Sequence, residues 1–157
     1  MKILLLVIGK TDEDYLATGI KKYVGRLGHY TMFEMKEIPD IRNRKTLSEE
    51  QQKKAESFLL LQQLQPGDQV ILLDERGKQH TSVEFSEIIE KWTASGIKRL
   101  VFVIGGPYGF AQEVYDRADA QLSLSSMTFS HQMVRLVFVE QLYRAFTILK
   151  GEPYHHN

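Results

Sequence analysis

Residues 122–151 read LSLSSMTFSHQMVRLVFVEQLYRAFTILKG, and the placing of apolar residues in this stretch decides what fold the chain can form. A short strand-like piece around Leu122 and Leu124 gives way to a polar corner, Ser125-Ser126-Met127-Thr128, and then to a lone His131. Beyond it Val134, Phe138, Leu142, Ala145, Phe146 and Leu149 recur three and four apart, which predicts a long helix with one apolar stripe. Leu136, Val139 and Tyr143 add apolar residues off that stripe. A helix that is apolar on nearly all sides needs cover on two faces. Either its own chain supplies both, making it a central core helix, or a second copy supplies one across a dimer interface.

Upstream, the pattern alternates between strand and helix. Residues 3–8 form an apolar run ending at Gly9, as expected of a strand buried on both faces. Thr11 or Asp12 is placed to cap a helix carrying Leu16, Ile20, Val24 and Leu27, stopped at Gly28. A more polar strand at 31–38 closes at Pro39, and a loop at 41–45 carries Arg42, Arg44 and Lys45, the pattern of a solvated connector. Ser48 with Gln51 makes a capping box for the next helix. A third strand spans 69–73 before a loop at 74–78, and a helix opening at Ser82 carries Phe85, Ile88, Ile89 and Trp92 on one stripe. A fourth strand at 100–104 runs into Gly105-Gly106-Pro107-Tyr108-Gly109, and a short helix at 111–118 leads to the fifth strand near Leu122. The order βαβαβαβαβα predicts an α/β fold, a mostly parallel sheet flanked by helices. With 157 residues and no repeat or linker, residues 1–157 suit a single domain.

Twenty basic residues balance twenty acidic ones, which argues against a protein that coats nucleic acid through bulk positive charge. The absence of cysteine excludes disulfides and thiolate metal sites. The apolar opening is too short for a secretory signal, and no stretch approaches the ~20 apolar residues of a membrane span, so the expectation is a cytoplasmic protein without membrane contact.

Three loops follow strands at their carboxyl ends, at 74–78, 105–109 and 125–129, and in an open parallel sheet that edge is where ligands bind. Gly105, Gly106 and Gly109 fit either a close ligand approach or a plain tight turn. The sequence lacks G-x-x-x-x-G-K-[ST], which disfavours a P-loop NTPase, and lacks G-x-G-x-x-G after the first strand, which removes the usual dinucleotide fingerprint. Without G-x-S-x-G, Ser125 and Ser126 near His131 make a poor case for nucleophilic hydrolysis. His131, Arg135 four residues on, Arg144 further along and the tail Pro153-Tyr154-His155-His156 offer either a cationic, partly aromatic surface for phosphates and a base or an ordinary solvated helix edge.

The run Phe102-Val103-Ile104-Gly105-Gly106-Pro107-Tyr108-Gly109, the segments Leu122-Ser123-Leu124-Ser125 and Met127-Thr128-Phe129, then His131-Gln132-Met133-Val134-Arg135, Glu140-Gln141-Leu142-Tyr143-Arg144-Ala145 and Pro153-Tyr154-His155 together resemble the bacterial ribosomal RNA large subunit methyltransferase H family over essentially the full length. The resemblance implies a SPOUT-type fold with a C-terminal trefoil knot, working as a homodimer. It implies transfer of a methyl group from S-adenosyl-L-methionine, without a metal, to N3 of a pseudouridine in 23S rRNA within the ribosome. By the same resemblance the cofactor pocket comprises Leu73, Gly105, Leu124, Ser125, Ser126, Met127, Thr128 and Phe129, and the catalytic candidates are Arg144, His131, Arg135 and His155. Arg144 and Arg135 are the candidates for charge near the target base or for anchoring phosphate, and His131 and His155 for proton handling or RNA contact. Two departures stand out: Ser130 where a proline commonly precedes the histidine, and the His155-His156-Asn157 end where a basic residue is usual. A non-catalytic RNA- or ribosome-binding module and a small-nucleotide-binding α/β protein are the alternatives from other classes.

Overall fold

The computed structural model describes residues 1–156; Asn157, the last residue of the unusual end, lies outside the described residues. Five strands and five α-helices alternate: β1 (Lys2–Ile8), α1 (Asp14–Leu27), β2 (Met32–Ile38), α2 (Glu49–Gln62), β3 (Gln69–Gln79), α3 (Ser82–Ala94), β4 (Arg99–Ile104), α4 (Gln112–Arg117), β5 (Ala120–Ser123) and α5 (Met133–Leu149). A 3-10 turn, Arg44–Thr46, lies between β2 and α2. The sheet order is β2-β1-β4-β3-β5, and every neighbouring pair is parallel. All five strands therefore deliver their following loops to one edge of the sheet.

The unbroken apolar run of β1 is explained by cover on both faces. Ile3, Leu5 and Val7 join Leu27, Phe85, Phe102 and Phe138 in one core. Leu4, Leu6 and Ile8 face the other way, toward Leu60, Phe110 and Val114. The first core is roofed by α1, α3 and α5, the second by α2 and α4.

Both flanks of α5 are covered by its own chain, for it lies between α1 and α3. Its Phe138 ring is 4.7 Å from Phe102 beneath it, and Leu136 fits over Gly19 of α1, where a Cβ would come within 3.1 Å of a leucine methyl. The flanks of the apolar belt are thus core, while Val134, Leu136, Tyr143 and Leu149 remain only partly buried.

Helix starts follow local chemistry. The expected box forms at α2, where the Gln51 N–H donates to Ser48 Oγ at 3.1 Å and the Ser48 N–H donates to Gln51 Oε1 at 2.9 Å. α3 opens at Ser82 as expected, behind a second box in which Thr81 and Glu84 exchange bonds of 2.9 and 3.1 Å. Neither Thr11 nor Asp12 caps α1; Glu13 holds the cap position without a side-chain bond. The Thr11 hydroxyl instead donates to Glu37 at 2.8 Å, on the neighbouring strand.

The largest departure from expectation is β3, which does not end at Leu73. Leu73 and Lys78 both pair with Leu122, so 74–77 bulges out of a strand that continues to Gln79. Gly77 makes the passage possible, since a Cβ there would lie 2.7 Å from the Leu122 nitrogen.

Candidate functional site

At the carboxyl edge of β3, β4 and β5 the bulge 74–77, the glycine turn and the segment after β5 enclose a cavity of about 590 Å³, a size suited to a small organic ligand. Leu73, Ile104, Leu124, Phe129 and Val134 supply apolar wall, and Gly105, Ser125, Met127, Thr128 and His131 also line it. Of the eight residues proposed for a cofactor, seven line this cavity; Ser126 is exposed and does not.

The walls are braced rather than loose. In the glycine turn, the Gly109 N–H donates to the Gly106 carbonyl at 3.1 Å, with Gly109 in the left-handed region at φ 80°. Gly106 rests directly on the carboxyl of Glu56 from α2, so closely that a Cβ would fall 2.4 Å from Oε1. Glu56 is 3% exposed; one oxygen accepts from Gln52 at 3.3 Å and the other has no partner. Burial pushes its acid above the usual carboxylate range. After β5 the Ser123 hydroxyl donates to the Ser125 carbonyl at 2.9 Å, the Met127 N–H to Ser125 Oγ at 2.9 Å, and the Thr128 hydroxyl to Glu75 Oε2 at 3.0 Å. The last of these ties the segment to the β3 bulge.

Sequence reasoning missed a further group in the wall. The Tyr115 hydroxyl donates to Asp74 and accepts from Arg76 Nη2 at 2.8 Å, while the guanidinium sits 5.5 Å from the ring centre. Burial, then the neighbouring Asp74 carboxylate, pushes the phenol up. Asp74-Glu75-Arg76 was legible only as a charged loop, and no local pattern links it to a tyrosine 41 residues on.

His131 lines the cavity just ahead of α5, in a turn where the Ser130 hydroxyl accepts the Met133 N–H at 3.0 Å. Burial, then the nearby Arg135 charge, pulls the imidazole below its ordinary value, so it is neutral at pH 7.

Arg135 is only 1% exposed. It donates to the carbonyls of Ile8, Gly9 and His131 at 2.7, 2.9 and 3.1 Å and to the Thr11 hydroxyl at 3.0 Å, with Glu37 3.6 Å away. The guanidinium thus fastens the end of β1 to the start of α5, and it is not among the residues facing the cavity.

Arg144 and His155 lie elsewhere. Val134 lines the cavity, and Arg144 follows ten residues later on the same helix, about 15 Å along its axis. There Arg144 donates to Glu140 Oε1 at 3.0 and 2.6 Å, to His155 Nδ1 at 3.1 Å, and lies 4.7 Å from the Tyr154 ring centre. A guanidinium only donates, so His155 accepts through Nδ1 and carries its proton on Nε2. Tyr154 donates to Glu140 at 3.2 Å and packs against Tyr143. One chain therefore brings His131 to the cavity and leaves Arg144 and His155 together at the far end of α5.

The residues present fit S-adenosyl-L-methionine: apolar Leu73, Ile104, Leu124, Phe129 and Val134 beside polar Ser125 and Thr128 and the glycine turn make the mixed lining that an adenine with a charged amino-acid tail would need. Among the described residues, no group of three His, Asp or Glu is placed to hold a metal ion, and no helix is long and apolar enough to cross a membrane.

Comparison with known proteins agrees with this geometry. Residues 1–155 match the family described as "Predicted SPOUT methyltransferase". The chain is 60% identical over 156 residues to the ribosomal RNA large subunit methyltransferase H of Parabacteroides distasonis, and 61% identical to that of Christiangramia forsetii, covering 99% of this chain and of each relative. Among solved structures, a probable methylase family protein from Haemophilus influenzae superposes with a TM-score of 0.57 at 14% identity, covering 99% of this chain and 70% of that one. A probable methyltransferase from Bordetella pertussis gives 0.57 at 10% identity, covering 92% and 93%. At those identities the two structures speak for the fold alone.

Proposed function

The chain belongs to the SPOUT methyltransferase family, and from that premise we propose that it is a ribosomal RNA large subunit methyltransferase that moves a methyl group from S-adenosyl-L-methionine to N3 of a pseudouridine in 23S rRNA of the ribosome. The observation that carries this reading is the convergence of three loops, distant in sequence, on one cavity lined by Leu73, Gly105, Leu124, Ser125, Met127, Thr128 and Phe129. The near 60% identity to relatives named for this substrate supports it. We take residues 1–157 as one SPOUT domain with a trefoil-knotted C-terminal part, working in the cytoplasm as a homodimer. The close passage of 74–77 over Leu122, which only Gly77 permits, suits a chain that threads past itself.

Bound S-adenosyl-L-methionine supplies a methyl already activated by its sulfonium centre. What remains for the protein is to orient the base, take the N3 proton and neutralise the charge that then spreads to the flanking carbonyl oxygens. His131, neutral and at the cavity, is the group for the proton. Arg144, with His155 beside it, supplies the positive charge. Because these two stand about 15 Å along α5 from their own cavity, they serve the cavity of the partner protomer. Arg135 is a positioning residue that holds His131 and the head of α5 against β1.

Incubating the protein with methyl-labelled S-adenosyl-L-methionine and ribosomes that lack the modification tests the reading. Label recovered on N3 of a 23S pseudouridine is expected. Cofactor binding without any transfer would mark a non-catalytic ribosome-binding module, which the distance of Arg144 from its own cavity would equally suit.

A further inference from the structure

A second concavity of about 790 Å³ opens on the other side of the sheet, between the chain leaving β2 and helix α2. Ile38, Ile41, Phe58 and Leu59 form its floor, with Arg42 and Lys54 among its rim residues. Phe58 stands out because its ring is 62% exposed on a helix whose neighbours Glu56, Ser57 and Leu60 are buried. The turn that leads in is shaped by Asn43, the one described residue other than glycine with a left-handed backbone, at φ 61°.

The charges around this aromatic floor are unbalanced. Arg44 is paired with Asp40 at 3.1 Å and Lys53 with Glu50 at 3.0 Å. Arg42, Lys45 and Lys54 make no ion pair among the described residues. In a chain of zero net charge, two unpaired cations lining the groove with one bare ring, Arg42 and Lys54, and Lys45 three residues beyond Arg42 in the chain form a local positive field. A stacking surface bordered by such charge is the combination that holds single-stranded nucleic acid.

Its position suits a substrate that must also reach the cofactor cavity. β2 and β4 flank β1 in the sheet, and all are parallel, so the groove and the cavity share the carboxyl edge. Asp40, at the lip of the groove, packs on Gly9, where a Cβ would meet its carboxylate at 2.7 Å. Asp40 and Arg44 are both near enough to influence the charge of His131.

We propose that the groove between residues 38–42 and α2 is a docking site for a single-stranded stretch of the substrate RNA, one base stacked on Phe58 and adjacent phosphates held by Arg42 and Lys54. The proposal rests on the rRNA methyltransferase reading and adds where the nucleotides beside the target are held.

The test uses the full-length protein with ribosomes lacking the modification, comparing wild type with Phe58→Ala and with Arg42→Gln/Lys54→Gln, all at exposed positions. Each variant is expected to raise KM for ribosomes about tenfold while kcat and S-adenosyl-L-methionine affinity stay unchanged. The double variant should also lower the slope of log affinity for ribosomes against log salt by about 1.4, two phosphate contacts at ~0.7 each. Unchanged KM in both variants would overturn the proposal. So would a raised KM with an unchanged salt slope, which marks an apolar protein partner, or a change of oligomeric state in Phe58→Ala, which marks a second copy. Should the wild type transfer no methyl to ribosomes, the activity reading alone fails. Co-sedimentation with ribosomes then judges the groove: loss of binding in the variants supports it and equal binding overturns it.

Discussion

The two ends of α5 differ in kind. At its head, beside His131, the chain builds a cavity walled by apolar side chains, the glycine turn and the charged bulge residues Asp74, Glu75 and Arg76, with Arg135 behind it turned inward and fully engaged. At its tail Arg144, Tyr154 and His155 form a half-buried cluster of charge and aromatic rings around Glu140. The head has room for a ligand, whereas Arg144, paired with Glu140, and His155 stand about 15 Å along the helix from it. In the reading proposed above, the site is complete where the tail of one copy meets the head of another.

Three substitutions at the head sharpen this contrast, in falling order of effect. Arg135→Ala leaves the Ile8 and Gly9 carbonyls without their side-chain donor and Glu37 without its cation, and is expected to lower unfolding free energy by about 3–5 kcal/mol in urea titrations. A loss below about 1 kcal/mol would mean that the guanidinium does not fasten α5 to β1.

His131→Gln is expected to slow transfer about a hundredfold with cofactor affinity retained. The pH dependence gives the sign. Because the folded-state imidazole is held below its usual 6.5, the acid limb of the wild-type kcat/KM profile should fall below pH 6.5 and vanish in the variant. The stability tied to the neutral ring is present above pH 6.5 and lost as pH falls through the lowered value. An acid limb that persists in His131→Gln would assign the proton to another group.

Glu56→Gln concerns the support beneath the glycine turn. The buried acid titrates above its unfolded value, so the folded state holds the extra proton and stability declines as pH rises from about 4.5 through the raised value. Removing the ionisable group should flatten that decline and stabilise the protein at pH 8 by about 1 kcal/mol. Equal pH dependence in both proteins would show that Glu56 finds a partner for its second oxygen.

Much of the head was legible from sequence. Parallel strands put their loops on one edge, and Gly105-Gly106 with the loop 125–129 mark that edge in the sequence. Ser126 fell outside the wall because a five-residue turn cannot point every side chain inward. The depth of β3 was hidden because Asp74-Glu75-Arg76-Gly77 carries the composition of a loop, and only pairing across to Leu122 keeps it in the sheet. Arg135 misled in the same way. Helical spacing placed it near His131, but its burial depends on the end of β1, 127 residues away. The all-round apolarity of α5 reads as a demand for two covers; Gly19 and Phe138 show α1, α3 and the sheet covering its flanks and base, while Val134, Leu136, Tyr143 and Leu149 stay only partly buried. The proposed shared site rests on the separation of Arg144 from the cavity.

That separation can be tested directly with two defective variants. Arg144→Ala should bind S-adenosyl-L-methionine normally and transfer almost nothing. Gly105→Val, whose side chain would press on the Phe110 ring 3.1 Å from the built Cβ, should fold and fail to bind the cofactor. Co-expressed with different tags and purified through both, the mixed dimer contains one intact cavity facing one intact Arg144, and is predicted to recover about half the wild-type rate on ribosomes. A mixed dimer as inactive as either parent would contradict a shared site and return Arg144 to its own cavity or to no role in transfer.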